Sequence, residues 1–222
     1  MSSSSGSADR LNSYQKLNNN NNDRGNISIA EAIFCAFDLE TCGLSSFSHI
    51  VEVGAVRFKV GEEGEYFQTL VNPDCLISPD AVRVHGITDE MVSDAPRARQ
   101  VLENFFEFAS GCVLVAHNAK YDIDIVTTEL IRTGMELPPN EVICTIKASK
   151  RFLPKMPNYR LGTVVKVLGI DHSGYHRALA DAVAARHIFE RTVTAEPSWE
   201  NRGLSRFLEQ CSSRRLRTKP SA

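Results

Sequence analysis

The chain has 222 residues and a net charge of −2, with 42% apolar and 23% charged residues. That size fits one domain with tails and leaves too little chain for two full domains, and the composition is ordinary for a globular protein. No apolar run approaches the roughly 18 residues of a membrane span, and the N-terminus lacks the apolar stretch of a secretory signal. No membrane partner is expected. The expected location is intracellular, by default cytoplasmic, with nuclear and organellar sites left open.

In chain order, residues 1–28 form a Ser- and Asn-rich tail with a run from Asn18 to Asn22. Such a stretch cannot bury enough apolar surface to offset its ordering entropy, so it reads as disordered. The run Ala32 to Phe37 closes on Asp38-Leu39-Glu40, a buried strand with a polar end. Ile50 to Val60 shows an imperfect period of two, and after an acidic turn flanked by Gly61 and Gly64 a third strand runs from Tyr66 to Val71. These short spacings predict an antiparallel meander.

Past Pro96, Val101, Leu102, Phe105, Phe106 and Phe108 make a helical stripe. Cys112 to Ala116 is a fourth strand, running through His117-Asn118 into a helix that stops at Gly134. Val142 to Cys144 is a fifth. Leu161, Val164, Val165 and Leu168 mark a helix ended by Gly169, and a last, alanine-lined helix covers about 178–192. Three antiparallel strands followed by alternating helices and strands predict an α/β fold, a mixed five-stranded sheet flanked by helices, over residues 29–194. Residues 195–222 read as a basic C-terminal tail in which Leu204, Phe207 and Leu208 suggest at most a short amphipathic turn; a solvated tail is the preferred reading.

Charge and cysteine usage add limits. The N-terminal 29 residues hold three basic and two acidic groups and the last 29 hold six and three, leaving 30–193 at −6. Overall basicity therefore does not announce a nucleic-acid partner. The six cysteines contain no C-x-x-C pair, which argues against a zinc ribbon or a thioredoxin-type site. Three of them sit in apolar strand-like runs, as small buried hydrophobes in a reducing compartment.

Asp38 and Glu40 stand two apart at the end of an apolar strand, so both project from one face. Like charges that close raise each other's pKa unless a cation lies between them, and hard divalent ions want oxygen ligands. About one such D-x-E pair is expected by chance in this composition, so the pair needs company. Asp122 supplies it in the first turn of the helix after the fourth strand, where a carboxylate also suits the helix dipole. His176 and Asp181 supply more, five residues apart at the start of the last helix.

The segments Phe37-Asp38-Leu39-Glu40-Thr41, His117-Asn118-Ala119-Lys120-Tyr121-Asp122 and His176-Arg177-Ala178-Leu179-Ala180-Asp181 resemble the three motifs of the DnaQ-like (DEDDh) exonuclease superfamily, in its order and spacing. Val84-His85-Gly86-Ile87-Thr88, Cys144-Thr145 before a helix and Leu161-Gly162 extend the resemblance over about residues 31–193. It implies a ribonuclease-H-like fold and two-metal 3′→5′ hydrolysis of terminal phosphodiesters. Asp38, Glu40, Asp122 and Asp181 would hold two Mg²⁺ or Mn²⁺ ions, and His176 would take a proton from the attacking water. By the same resemblance Thr41, Leu44, His85 and Asn118 are candidates for contacting substrate.

The third motif looks closest to the proofreading type of the DNA polymerase III epsilon subunit. The expected partners are then single-stranded 3′ ends, DNA ahead of RNA, and a DNA polymerase or a second copy of the chain. Two alternatives within the fold are an exoribonuclease and an inactive binding module. A zinc site on His172 and His176 lacks the Glu of H-E-x-x-H and has Gly174 between its histidines.

Overall fold

The computed structural model describes residues 27–174 and 176–213; the Ser- and Asn-rich segment 1–26 and the basic residues Arg214 to Lys219 lie outside them. The meander forms as expected, from β1 (Phe34–Thr41), β2 (Ile50–Phe58) and β3 (Glu65–Leu70), paired antiparallel. Then come the short helices α1 (Pro79–His85) and α2 (Asp89–Val92), the longer α3 (Ala98–Phe108) and the strand β4 (Val113–Ala116). After these follow α4 (Lys120–Thr133), β5 (Val142–Cys144), α5 (Thr145–Phe152), α6 (Leu161–Leu168) and α7 (Ala178–Thr194). Both β1–β4 and β4–β5 are parallel pairs. The C-terminal ends of β1, β4 and β5 therefore open on one edge of the sheet, where ligands bind in open α/β folds.

Period-two alternation in β1 sorts the two sides of the sheet. Cys35, Phe37 and Leu39 pack with Val101, Leu102 and Phe105 of α3 and with Val126 and Leu130 of α4. Phe34 and Ala36 face the other way, into a cluster with Phe189 and Val193 of α7. Asp38 and Glu40 follow the even residues, so both carboxylates project on the α7 side. The irregular period of β2 has the same origin. Covered on both faces, it buries every residue but Arg57, so neither face needed to be polar.

The C-terminal segment is not a solvated tail as far as residue 213. A 3-10 turn (Trp199–Asn201) leads into α8 (Leu204–Cys211), whose Leu204, Phe207 and Cys211 are buried in the α7-side core. Phe207 stacks on Phe152 at 5.3 Å and meets Phe189 edge-on at 5.9 Å. Burying a phenylalanine that well is worth about 1.5–3 kcal/mol, more than exposed basic neighbours take away. Ser212–Ser213 then pairs antiparallel with β5 as β6, so the sheet has six strands in the order β3-β2-β1-β4-β5-β6 rather than the expected five. The first described residues meet this segment. Leu204 N–H donates to the Ile27 carbonyl and Ile29 N–H to that of Arg202, around a bridge between Ser28 and Gly203. No helix among the described residues is long and apolar enough to cross a membrane.

Candidate active site

Two features of β2 bring α7 onto the carboxylates of β1. Gly54 pairs with Asp38 in the sheet, and a Cβ at Gly54 would lie 2.1 Å from the backbone nitrogen of Leu179. Only a residue without a side chain allows the helix to approach so closely. Glu52, paired with Glu40, is fully buried and receives the start of α7. Arg177 donates to it from Nη2 at 2.6 Å and Nε at 3.1 Å, Ala178 N–H at 3.0 Å and Gln68 Nε2 at 2.9 Å. Burial opposes the charge on Glu52, yet these donors together hold its pKa below the usual glutamate value.

Asp181, one turn into α7, thereby lands over β1. One carboxylate oxygen from each of Asp38, Glu40 and Asp181 lies within 4.8 Å of the others. Asp122 is buried in the first turn of α4 and outside that triple, though its charge acts on Asp38 and on Glu40. Burial first, then mutual repulsion, pushes the group up. Asp38 goes well above the ordinary carboxylate range, with Asp122, Asp181 and Glu40 adding to burial. Glu40 rises to about 8, through burial and then Asp181, and Asp122 to about 7, again mainly through burial. Asp181 is raised by burial against the pull of His172 and His176. Protonation or an oxygen-seeking cation are the two ways to relieve such a cluster. The donor set, carboxylate oxygens alone, fits Mg²⁺ or Mn²⁺.

The two histidines of the third motif are placed differently. His176 is exposed, in a left-handed conformation (φ 60°), and acts on Asp181 both through its charge and through its backbone N–H. His172 carries a buried side chain with Nε2 2.6 Å from Asp181 Oδ1. This contact ties His172 to the carboxylate cluster. Sequence reasoning weighed His172 only as a zinc ligand and missed Glu52 altogether, although an acidic residue inside an otherwise apolar strand was a signal for it.

The remaining candidates surround the end of β1. Thr41 is buried and its hydroxyl donates to the Gly43 carbonyl at 2.7 Å. His85 Nε2–H donates to the Thr41 carbonyl at 3.1 Å while its Nδ1 accepts Ile87 N–H at 3.0 Å, so both ring nitrogens are engaged by backbone. Burial lowers its pKa, with smaller opposing influences from Thr41 and Glu52. Leu44 is 68% exposed on the loop that follows. Asn118 is exposed with φ 59°, a conformation asparagine tolerates better than most residues. His117 lies behind it. Its Nε2–H donates to the Tyr159 carbonyl at 2.9 Å and its Nδ1 accepts the Thr145 hydroxyl at 2.7 Å. Burial drives the His117 pKa down to about 4, which suits a neutral strut at the end of β4. Lys120 pairs with Asp124 at i+4, which keeps that second carboxylate of α4 on the outer face and leaves Asp122 facing inward.

A mixed sheet of this order, with carboxylates gathered beyond its central strands, is the arrangement of ribonuclease-H-like nucleases. The chain belongs to the exonuclease family RNase_T, whose profile matches residues 35–189. A relative described as PolC-type DNA polymerase III, from Caldanaerobacter subterraneus subsp. tengcongensis, is 38% identical over 160 residues, 72% of this chain and 11% of the polymerase. The chain thus spans about a tenth of the length of such relatives. Exonuclease X, solved in complex with 5′ overhanging duplex DNA, is 30% identical with a TM-score of 0.56, covering 75% of this chain and 96% of that one. Escherichia coli Exonuclease I, solved with a dT13 oligonucleotide, shares the fold at 20% identity and a TM-score of 0.66, over 75% of this chain and 42% of that one.

Proposed function

We propose that the chain is a DEDDh-type 3′→5′ exonuclease that removes nucleotides from single-stranded DNA ends, in proofreading or repair. The observation that carries this reading is the convergence of Asp38, Glu40 and Asp181 within 4.8 Å, with the buried Asp122 close enough to act on them electrostatically. Those four carboxylates would hold the divalent ions. Bound there, such ions supply positive charge to the phosphate and lower the pKa of an attacking water. Glu52 and Arg177 fix the start of α7 so that Asp181 keeps its place over β1. His172, against Asp181 Oδ1, holds that carboxylate in orientation. His176, exposed just before α7, would act as the general base toward the attacking water. Leu44 and Asn118, both exposed, would meet the terminal nucleotide, with the buried Thr41 and His85 supporting the end of β1. A polymerase, or a second copy of the chain, is the protein partner this reading favours. Cysteines without disulfides suit a reducing, intracellular setting.

The test is digestion of matched 5′-labelled DNA and RNA single strands in Mg²⁺ or Mn²⁺, with and without EDTA. A ladder of labelled DNA products shortening one nucleotide at a time is expected, and EDTA should abolish it. Immediate release of labelled mononucleotide would mean the opposite polarity, and preferential loss of RNA would reassign the substrate. An intact strand with metal present would leave only the binding-module reading. His176→Ala is expected to lower kcat by about 10²- to 10⁴-fold with little change in strand binding. Equal turnover in that variant would remove His176 from the proton-transfer role.

A further inference from the structure

Residues 145–170 carry six basic side chains, Lys147, Lys150, Arg151, Lys155, Arg160 and Lys166, and no carboxylate. They form a basic island in a domain whose net charge over 30–193 is −6. All six are exposed, and among the described residues none is ion-paired with a carboxylate. Elsewhere, exposed arginines such as Arg83, Arg97 and Arg99 are paired with Asp80, Asp74 and Glu103. Uncompensated like charges repel one another, and a polyanion is the ligand that relieves them.

The island adjoins the carboxylate site through two contacts. Tyr159 gives its carbonyl to His117, which immediately precedes Asn118 and lies five residues before Asp122. Lys150 Nζ sits over the Tyr159 ring, 5.3 Å from its centroid, and Arg160 is the next residue. Lys155 lies in the same loop, between α5 and α6. Cations attract phosphates through salt solution only over about 8–10 Å, so such a track acts on a strand that lies against it. The carboxylate cluster repels the substrate's backbone, and a strand entering it needs cations beside the entrance.

We propose that Lys150, Lys155 and Arg160 form a track that grips the phosphates of a single strand upstream of the nucleotide being removed. The inference rests on the exonuclease reading above and extends it. The track holds phosphates and does not read bases, so it provides affinity and length dependence without sequence preference.

The experiment compares wild type, the triple variant Lys150→Gln/Lys155→Gln/Arg160→Gln, and a charge-matched control, Lys59→Gln/Arg99→Gln/Arg191→Gln. Binding of a 5′-fluorescein 20-nucleotide DNA is followed by anisotropy in EDTA across a salt series. Hydrolysis of the same strand and of the p-nitrophenyl ester of thymidine 5′-monophosphate is followed in Mg²⁺. At about 0.7 per single-strand contact, three lost contacts should flatten the slope of log affinity against log salt by about 2. Affinity at 0.1 M salt should then fall about a hundredfold. The triple variant should hydrolyse the small ester at the wild-type rate while losing activity on the 20-mer, and the control should match wild type throughout. An unchanged salt slope, or an equal loss in the control, would overturn the track. Wild type inert toward both substrates would instead bring down the exonuclease reading itself, and the track with it.

Discussion

Asp38→Asn is expected to abolish metal-dependent hydrolysis while making the metal-free protein more stable. The two effects share one cause. Asp38 is pushed far above the usual carboxylate range by burial and by Asp122, Asp181 and Glu40, so its ionised form is a cost the fold bears in the absence of a cation. An amide of the same shape removes that charge and one oxygen ligand together. Activity should fall by at least about 10³-fold, since the charge stabilisation a bound metal provides is worth several kcal/mol. The sign of the pH effect follows from Glu40. Its folded pKa of about 8 lies above the ordinary value of 4.5, so the folded protein binds more protons than the unfolded chain in between. Stability without metal should therefore fall as pH rises from about 4.5 to about 8, and Mg²⁺ should raise the melting temperature most at the upper end. Melting curves in EDTA and in Mg²⁺ from pH 5 to 9 read this directly. A flat metal-free profile in wild type, or an Asp38→Asn variant that melts below wild type at pH 8, would contradict the account of the cluster.

Gly54→Ala should be the most damaging single methyl in the domain. The added carbon would stand 2.1 Å from Leu179 N, 2.2 Å from the Ala178 carbonyl carbon and 2.5 Å from Leu179 Cα. All three are backbone atoms, so no rotamer change relieves the clash and α7 has to lift away from β2. Overpacking by a methylene commonly costs about 1–3 kcal/mol, and a backbone clash belongs at or above that upper end. At about 2–4 °C per kcal/mol for a domain of this size, a drop of roughly 6–12 °C or outright insolubility is expected. The same displacement pulls Asp181 off Asp38 and Glu40, so soluble Gly54→Ala should bind Mg²⁺ poorly even below its melting temperature. Wild-type stability and metal affinity in this variant would show that α7 is not seated by the glycine.

The carboxylates were legible because they obey local rules. Period two joins Asp38 to Glu40, an apolar strand feeding a helix marks Asp122, and the start of an alanine-lined helix marks Asp181. Glu52 obeys no local rule, since its burial depends on Arg177 and Ala178, some 125 residues further on. His172 is similar. Only the path of the loop before α7 sets it against Asp181, and sequence spacing suggested His176 as its companion instead. In α8 the signal was present in the spacing of Leu204, Phe207 and Cys211. It was outweighed by the surrounding charge, although the aromatic cluster of Phe152, Phe189 and Phe207 decides the matter in the fold. The sixth strand could not be read from two serines, because its pairing is lent entirely by β5.

The bridge between Ser28 and Gly203, with Ile27 and Leu204 sharing a hydrogen bond, has a structural consequence. The first described residues brace the turn that opens α8, so the last helix is held at its start by Ile27 to Ile29 and at its end by the pairing of β6 with β5.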